Sequence, residues 1–421
     1  MKSNRLHLTC DGIWRILVYG KSFSKNGGLI MDYSSLKKEF NDAFGYEADK
    51  VYFAPGRINL IGEHTDYNGG NVFPCAISMG TYGVYKARED NKIRVQSANI
   101  PDAGVIEFTT DELDFKKDLS WDKFVRGVLY ELKANKNFTA PHGFDLFVHG
   151  DLPDASGLSS SASIELLLGN IFNTEFGWGL EQLDLVKNGQ AVENDYLGLN
   201  TGIMDQFAIG MGKKDQAVLL DTNTLKYEYV PAELGDNVVV IMNTNKRREL
   251  VDSKYNERRS QCEEAVARMQ KGGVVIKTLG ELSQDEFDEE SYLVDDDILI
   301  KRARHAVIEN QRTLRAKQAL TDGDLVKFGK LVNASGVSLR YDYEVTGKEL
   351  DCLVQTALKQ DGVLGARMTG AGFGGCAIAI VNKDKVDAFS KAVGDVYKKE
   401  IGYDASFYVA NIADGHKEIK A

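Results

Sequence analysis

The chain has 421 residues, enough at about 150 per domain for two or three domains or one large bilobal unit. Its 43% hydrophobic and 27% charged content supplies a sizeable core and excludes collagen-like, mucin-like and low-complexity folds. Lys plus Arg total 51 against 62 Asp plus Glu, a net charge of −11, so the chain lacks the counterion-release attraction of nucleic-acid binders and no nucleic-acid partner is expected.

Five scattered cysteines, Cys10, Cys75, Cys262, Cys352 and Cys376, include no CxxC pair. That pattern fits neither a disulfide scaffold nor a zinc site and points to a reducing cytoplasm. No apolar run reaches membrane-spanning length, so no membrane partner is expected.

Residues 1–30 share no rhythm with the rest of the chain. Met31 opens a stretch that reads as a capped amphipathic helix, from Asp32 to Phe40. Met31 is therefore a candidate translation start, because Asn26-Gly27-Gly28-Leu29-Ile30 can be encoded by a purine-rich ribosome-binding stretch. A flexible or strand-forming native extension is the other reading. Further on, Ala54 to Gly70 gathers Arg57, Glu63, His64 and Asp66 among glycines, a set of donors and acceptors suited to a polyhydroxylated ligand. A polar surface turn would use the same residue types.

The alternating run Phe144 to Val148 reads as a strand leading into Gly150 to Ser163, a loop of small residues. Ile164, Leu167, Leu168 and Ile171 then fall at helical spacing. A loop of this kind ending at a helix N-terminus offers unpaired N–H groups and the positive end of the helix dipole to an anion; a serine-capped helix after an ordinary turn is the alternative. No GK[ST] motif comes after it, so this is not a Walker loop. A soft domain break falls at Asp221 to Val230, after which Val238 to Met242 opens a second α/β region. The acidic stretch Asp285 to Glu290 reads as a solvated face. Near the end, Ala366 to Gly375 has GxGxxG-like spacing but precedes a strand, whereas a dinucleotide fingerprint comes after one, so the Rossmann reading fails.

The three glycine-rich segments in this order resemble the signatures of GHMP-type small-molecule kinases, and Gly56 to Gly70 resembles that of the galactokinase family in particular. The resemblance runs from about Met31 almost to the C-terminus. It takes in Gly202 to Gln206, Asn243 to Glu264, Arg304 to Asn310 and Ser338 to Arg340. It implies an α+β, two-lobed fold: a ribosomal-protein-S5-like N-terminal lobe over 31–225, a C-terminal α/β lobe over 226–421, and the active site between them.

The implied activity is transfer of the ATP γ-phosphoryl group to the C1 hydroxyl of galactose, giving α-galactose 1-phosphate and ADP. Kinases for N-acetylgalactosamine or another sugar, and non-catalytic galactose and ATP sensors, share these signatures. The retained Ser159-Ser160-Ser161, Arg57 and Asp205 favour catalysis. By the resemblance Asp205 is the base at the C1 hydroxyl, and Arg57 holds its carboxylate ionised and stabilises the transferring group. Glu63, His64, Thr65, Asp66, Gly202, Asp205 and Tyr255 contact the sugar. ATP phosphates lie on Ala155, Ser156, Gly157, Leu158, Ser159, Ser160 and Ser161, with Trp121 and Ser97 beside the nucleotide. Mg²⁺ is held by Ser161 and Glu193. Where relatives carry two further glycines this chain has Ala155-Ser156, whose Cβ atoms can alter the loop. A cytoplasmic monomer is the expected working form.

Overall fold

The computed structural model describes residues 21–23, 29–153, 156–246 and 251–420. Ala155 and most of the leader, 1–20 and 24–28, fall outside the described residues. Of the leader, Lys21–Phe23 and Leu29–Met31 pair as an antiparallel hairpin.

The helix expected after Met31 is Tyr33–Phe44, capped by the Asp32 side chain and seated through buried Leu36 and Phe40. It covers one face of a six-stranded sheet, packing on Val51, Phe53, Tyr82, Val84 and Phe147. The strands run in the order Lys417–Ile419, Lys50–Asn59, Pro74–Ala87, Phe144–Gly150, Lys92–Ser97 and Ile106–Thr109. All pairs are antiparallel except Lys92–Ser97 with Phe144–Gly150. Residues of the opposite sheet face, such as Tyr52, Ala54 and Tyr85, share a core with the helices Asp122–Lys136 and Ser160–Glu175. The helical spacing read from Ile164, Leu167, Leu168 and Ile171 is this buried stripe.

The second lobe holds a four-stranded antiparallel sheet in the order Val363–Thr369, Cys376–Asn382, Asn237–Asn243, Ser406–Ala410. Strand alternation sorts its side chains. Val240 and Met242 join the core shared with the C-terminal helices, whereas Val239 and Ile241 face a separate cluster. That cluster also contains Ile58, Leu60, Phe73 and Cys75 of the first lobe and Ile378 and Ile380 of the second. Period-two patterning thus welds the lobes through one apolar seam.

The 221–230 region is the turn of a hairpin, Gln216–Asp221 with Tyr227–Pro231, whose first strand pairs with Asn71–Val72. The Thr222 hydroxyl lies 3.0 Å from Asp66 O and 2.8 Å from Gly70 O. What reads as a soft break in sequence therefore braces the loop after Asn59. The final strand, Lys417–Ile419, returns to the first lobe and pairs with Val51–Phe53.

Candidate active site

Arg57 comes from the strand Lys50–Asn59, whose pairing with Pro74–Ala87 shifts register between Pro55 and Arg57. A bulge of this kind re-aims a side chain and frees its backbone from the ladder. Here the Arg57 N–H donates to Leu158 O at 3.1 Å, which ties the first glycine-rich segment to the serine loop. The buried guanidinium grips both oxygens of Asp205, Nε to Oδ1 and Nη2 to Oδ2, each at 2.8 Å, and Nη1 donates to Gly157 O at 2.7 Å. Burial works against the Arg57 charge, but Asp205, Glu63 and Asp66 outweigh it and the guanidinium is held above its ordinary pKa. Asp205 lies in the first turn of the helix Met204–Gly210 and also accepts from the Ser159 hydroxyl.

Ser159 is the N-cap of Ser160–Glu175 in the left-handed region, φ 64°, and its hydroxyl reaches Asp205 instead of capping the helix. Ser160 is exposed in the first turn. Ser156 is buried with its N–H on Pro153 O, and Leu158 is buried with its carbonyl on Arg57 N. The free helix start that the sequence suggested therefore lies directly against the Arg57–Asp205 pair.

The third glycine-rich segment closes on the same place. Gly370 has φ 85°, and a Cβ there would stand 3.0 Å from Gly157 O, so glycine lets the turn approach the serine loop. Its N–H donates to Glu63 Oε1 at 2.8 Å. The Glu63 carboxylate, 1% exposed, also accepts from Arg367 Nη2 and Asn59 Nδ2, each at 3.0 Å.

The remaining sugar-signature residues divide. Thr65 is buried, with its hydroxyl shared between Gly62 O at 2.9 Å and Asn71 O at 2.7 Å, so its side chain closes the turn and a sugar could meet only its backbone. His64 adopts φ 61° and is 4% exposed. Asp66 packs so tightly on Gly202 that a Cβ there would sit 1.9 Å from Asp66 Oδ2, which is why residue 202 must lack a side chain. Burial, followed by repulsion from Asp205, pushes Asp66 up to about 7. Tyr255, on the helix Val251–Lys271, stands with its ring centroid 5.6 Å from His64 and 5.2 Å from Tyr67. Burial first, then Asp66 and Tyr67, raise its hydroxyl well above the ordinary range.

Ser161 donates to Glu193 Oε1 at 2.8 Å, and Thr201 donates to Glu193 Oε2 at 2.6 Å. Glu193 is presented by a π-helical turn, Val192–Tyr196. Burial raises its pKa, a cost that a divalent cation would relieve. Among the described residues no three His, Cys, Asp or Glu side chains form a metal cage. A serine hydroxyl with one carboxylate is a partial hard-oxygen shell, which suits Mg²⁺, an ion that keeps waters and takes substrate phosphates. Trp121 lies at the start of Asp122–Lys136, buried, with an indole N–H that has no partner among the described residues. Ser97 ends its strand with its hydroxyl accepting from Asn99 N at 3.2 Å, a local turn bond.

Four contributors carried no role in the sequence reading: Thr201, Arg367, Asn59 and Glu309. Arg367 Nε donates to Leu60 O at 3.0 Å and Nη2 to Asn59 O at 2.6 Å, so one buried arginine of the second lobe fastens the sugar signature of the first. Glu309 accepts from Gly62 N at 3.0 Å. An arginine within an otherwise apolar strand was the available signal for Arg367; Thr201 meets Glu193 only eight positions away, whereas Glu309 meets Gly62 across 247 positions, a distance that no local pattern carries.

Family models match the chain in three places: a galactokinase galactose-binding signature at 38–87, a GHMP kinases N-terminal domain at 123–213 and a GHMP kinases C-terminal domain at 316–399. The galactokinase of Lactiplantibacillus plantarum is 64% identical over 389 residues, 92% of this chain and all of that protein. That of Streptococcus thermophilus is 58% identical over 387 residues, 92% of this chain and 99% of that one. The crystal structure of Lactococcus lactis galactokinase complexed with galactose superposes with a TM-score of 0.89 at 55% identity, covering 92% of this chain and 99% of that one. A mevalonate kinase at 18% identity, with a TM-score of 0.62 over 87% of this chain and all of the other, shares the fold. With its three glycine-rich segments converged on one ion pair and these relatives matched over nearly their whole length, the chain belongs to the galactokinase family of GHMP kinases.

Proposed function

We infer that this ATP-dependent sugar kinase phosphorylates α-D-galactose at its C1 hydroxyl, in galactose catabolism, and that the Arg57–Asp205 pair is the reaction centre. The observation that carries this reading is the two-pronged contact of Arg57 with Asp205 beside the start of the serine-loop helix. It brings a carboxylate acceptor and a fixed cation to the N-terminus of the serine-loop helix, whose free N–H groups and dipole suit phosphate.

In the reaction the C1 oxygen forms a bond to the γ-phosphorus, the bond from that phosphorus to the β,γ-bridging oxygen breaks, and ADP leaves. The hydroxyl proton passes to Asp205. Arg57 has five N–H donors; three serve Asp205 and Gly157, which leaves two for the transferring phosphoryl oxygens. Gly157, Leu158, Ser159 and Ser160 line the phosphates with main-chain and hydroxyl donors. Ser161 and Glu193 would hold Mg²⁺, whose charge when bound neutralises the phosphate oxygens. The orphan indole N–H of Trp121 supports a place near the base. His64, Asp66, the Gly202 backbone and Tyr255 form the sugar side, with Glu63 bracing it from behind.

Paired donors and acceptors discriminate sugars because a misplaced hydroxyl leaves a buried partner unmatched. Purified protein should release ADP with galactose and magnesium, and at least tenfold more slowly with glucose, N-acetylgalactosamine or arabinose. No galactose-dependent ADP, or faster turnover of N-acetylgalactosamine, would overturn the assignment. Among the described residues no helix is long and apolar enough to cross a membrane. We place the protein in the cytoplasm as a monomer, for which light scattering should return about 47 kDa, the 46.6 kDa chain mass rounded.

A further inference from the structure

A run of four hydrogen-bonding side chains leads from the sugar signature into the second lobe. His64 Nδ1 lies 2.8 Å from the Tyr67 hydroxyl, which lies 2.8 Å from the Tyr343 hydroxyl, which in turn lies 3.2 Å from Cys262 Sγ. The rings of Tyr67, Tyr255 and Tyr343 surround the imidazole at centroid separations of 5.9, 5.6 and 4.9 Å. His64 Nε2 has no partner within hydrogen-bond geometry among the described residues, although the Ala371 carbonyl stands near the ring.

The direction of donation along the run, which the Asn68 side chain also joins at Tyr343 and Cys262, sets which ring nitrogen carries the proton. In one direction the thiol donates to Tyr343, Tyr343 to Tyr67, and Tyr67 to a bare Nδ1. A phenol, the best neutral donor of the set, then meets an imidazole nitrogen, the best acceptor. In the other direction a neutral imidazole N–H gives to a phenol oxygen and the run ends on sulfur, a weak acceptor. The ring is neutral in either case: burial, helped by His305, Arg258 and Arg367 and opposed by the Ala371 carbonyl, pushes its pKa down to about 3.

We propose that Tyr67 and Tyr343 are positioning residues that hold His64 as the Nε2–H tautomer, so that it offers a donor to an oxygen of the bound sugar. Asp66, on the same loop, offers an acceptor. Two neighbouring sites of opposite sense fix not only where a sugar hydroxyl sits but which way its O–H points. The proposal rests on reading this pocket as the sugar site.

The test has two arms. In full-length protein carrying ¹⁵N-histidine, the His64 resonance, assigned by its loss in His64→Gln, should show a protonated Nε2 and a bare Nδ1. Tyr67→Phe, which removes the donor to Nδ1, should raise the galactose KM about tenfold while kcat and the ATP KM stay within about twofold. Tyr343→Phe leaves the Tyr67 donor in place and should raise the galactose KM only about threefold. A protonated Nδ1 in the unaltered chain, or an unchanged galactose KM in Tyr67→Phe, overturns the proposal. The tautomer is read in the unaltered chain and needs no turnover; His64→Gln serves only to assign the resonance. An Nε2–H tautomer in a protein with no galactose-dependent ADP release would support the relay while removing the kinase reading.

Discussion

The loop from Gly62 to Asn71 has two sides that are built differently. Its back, toward the second lobe, is densely bonded, with Arg367 Nη1 a buried donor that has no partner among the described residues. Glu309 takes Gly62 N, Asn310 Oδ1 takes both nitrogens of Asn71, and His305 sits between Glu63 O and the Ser338 hydroxyl. Its front, toward Asp205, is strained and under-satisfied. His64 and Ser159 both hold positive φ without being glycine, and His64 Nε2 lacks a partner among the described residues. Strain and orphaned polar atoms persist only where the surroundings enforce them, and they mark where a ligand completes the structure. The back makes the front possible: the clamp of bonds from Glu309, Asn310, His305 and Arg367 behind the loop holds the unfavourable geometry of the pocket.

The sharpest way to break this contrast is at its centre. Asp205→Ala removes the carboxylate proposed as proton acceptor while Arg57 keeps Gly157, so turnover should fall about 1,000-fold with galactose binding still measurable by calorimetry. Near-normal ADP release would dissolve the distinction between the sides. On the clamp, Arg367→Met leaves Glu63 buried without its cation and should cost about 3 kcal/mol in urea unfolding. The kcat of its folded fraction should stay within about threefold. If kcat collapses while stability holds, Arg367 belongs to the pocket.

Much of the front was legible in the sequence because its chemistry is concentrated in short runs. Arg57 through Asp66 and Ser159 through Ser161 offer donors, acceptors and a candidate anion loop by residue type, and the family resemblance assigns them roles that an ordinary polar turn or capped helix would not have. The back was not legible. Arg367 meets Asn59 across 308 positions and Glu309 meets Gly62 across 247, pairings that no local pattern fixes even where the segments themselves stand out. The change of rhythm at 221–230 coincides with the turn and second strand of a hairpin whose Thr222 hydroxyl bonds Asp66 O, a contact across 156 positions. Thr65 lies inside the most specific motif of the chain, yet its hydroxyl serves the turn. Motif membership does not say which way a side chain faces.

Acid titration should separate the sides with opposite signs. Asp66 is raised from 3.8 to about 7 by burial and then by Asp205, so protonation suits the fold: its favourable contribution is full below 3.8 and is lost as pH rises through about 7. Glu309 runs the other way. Burial opposes its charge, but Arg312, His305 and Arg367 prevail and bring it from 4.5 down to about 2. Its contribution is present above 4.5 and is lost as pH falls toward 2. Between pH 8 and 5 the galactose KM should rise, approaching tenfold per unit below about 7 as Asp66 loses its acceptor charge, while the melting temperature does not fall. Asp66→Asn should flatten that KM profile.

The smallest effect tests the exchange of stability for geometry most directly. Ser159 is held at φ 64° without the side-chain cap that would reward it, because its hydroxyl is engaged with Asp205. Ser159→Gly relieves the backbone and should stabilise the protein by roughly 0.5–1 kcal/mol, while the loosened Asp205 costs about tenfold in turnover. Ser159→Ala loses the same hydroxyl but keeps the strain, so its turnover should fall equally with no gain in stability. Paired melting curves and initial rates would expose the alternative: if both variants melt alike, the backbone at Ser159 stores nothing, and the front of the site is rigid for reasons other than the clamp behind it.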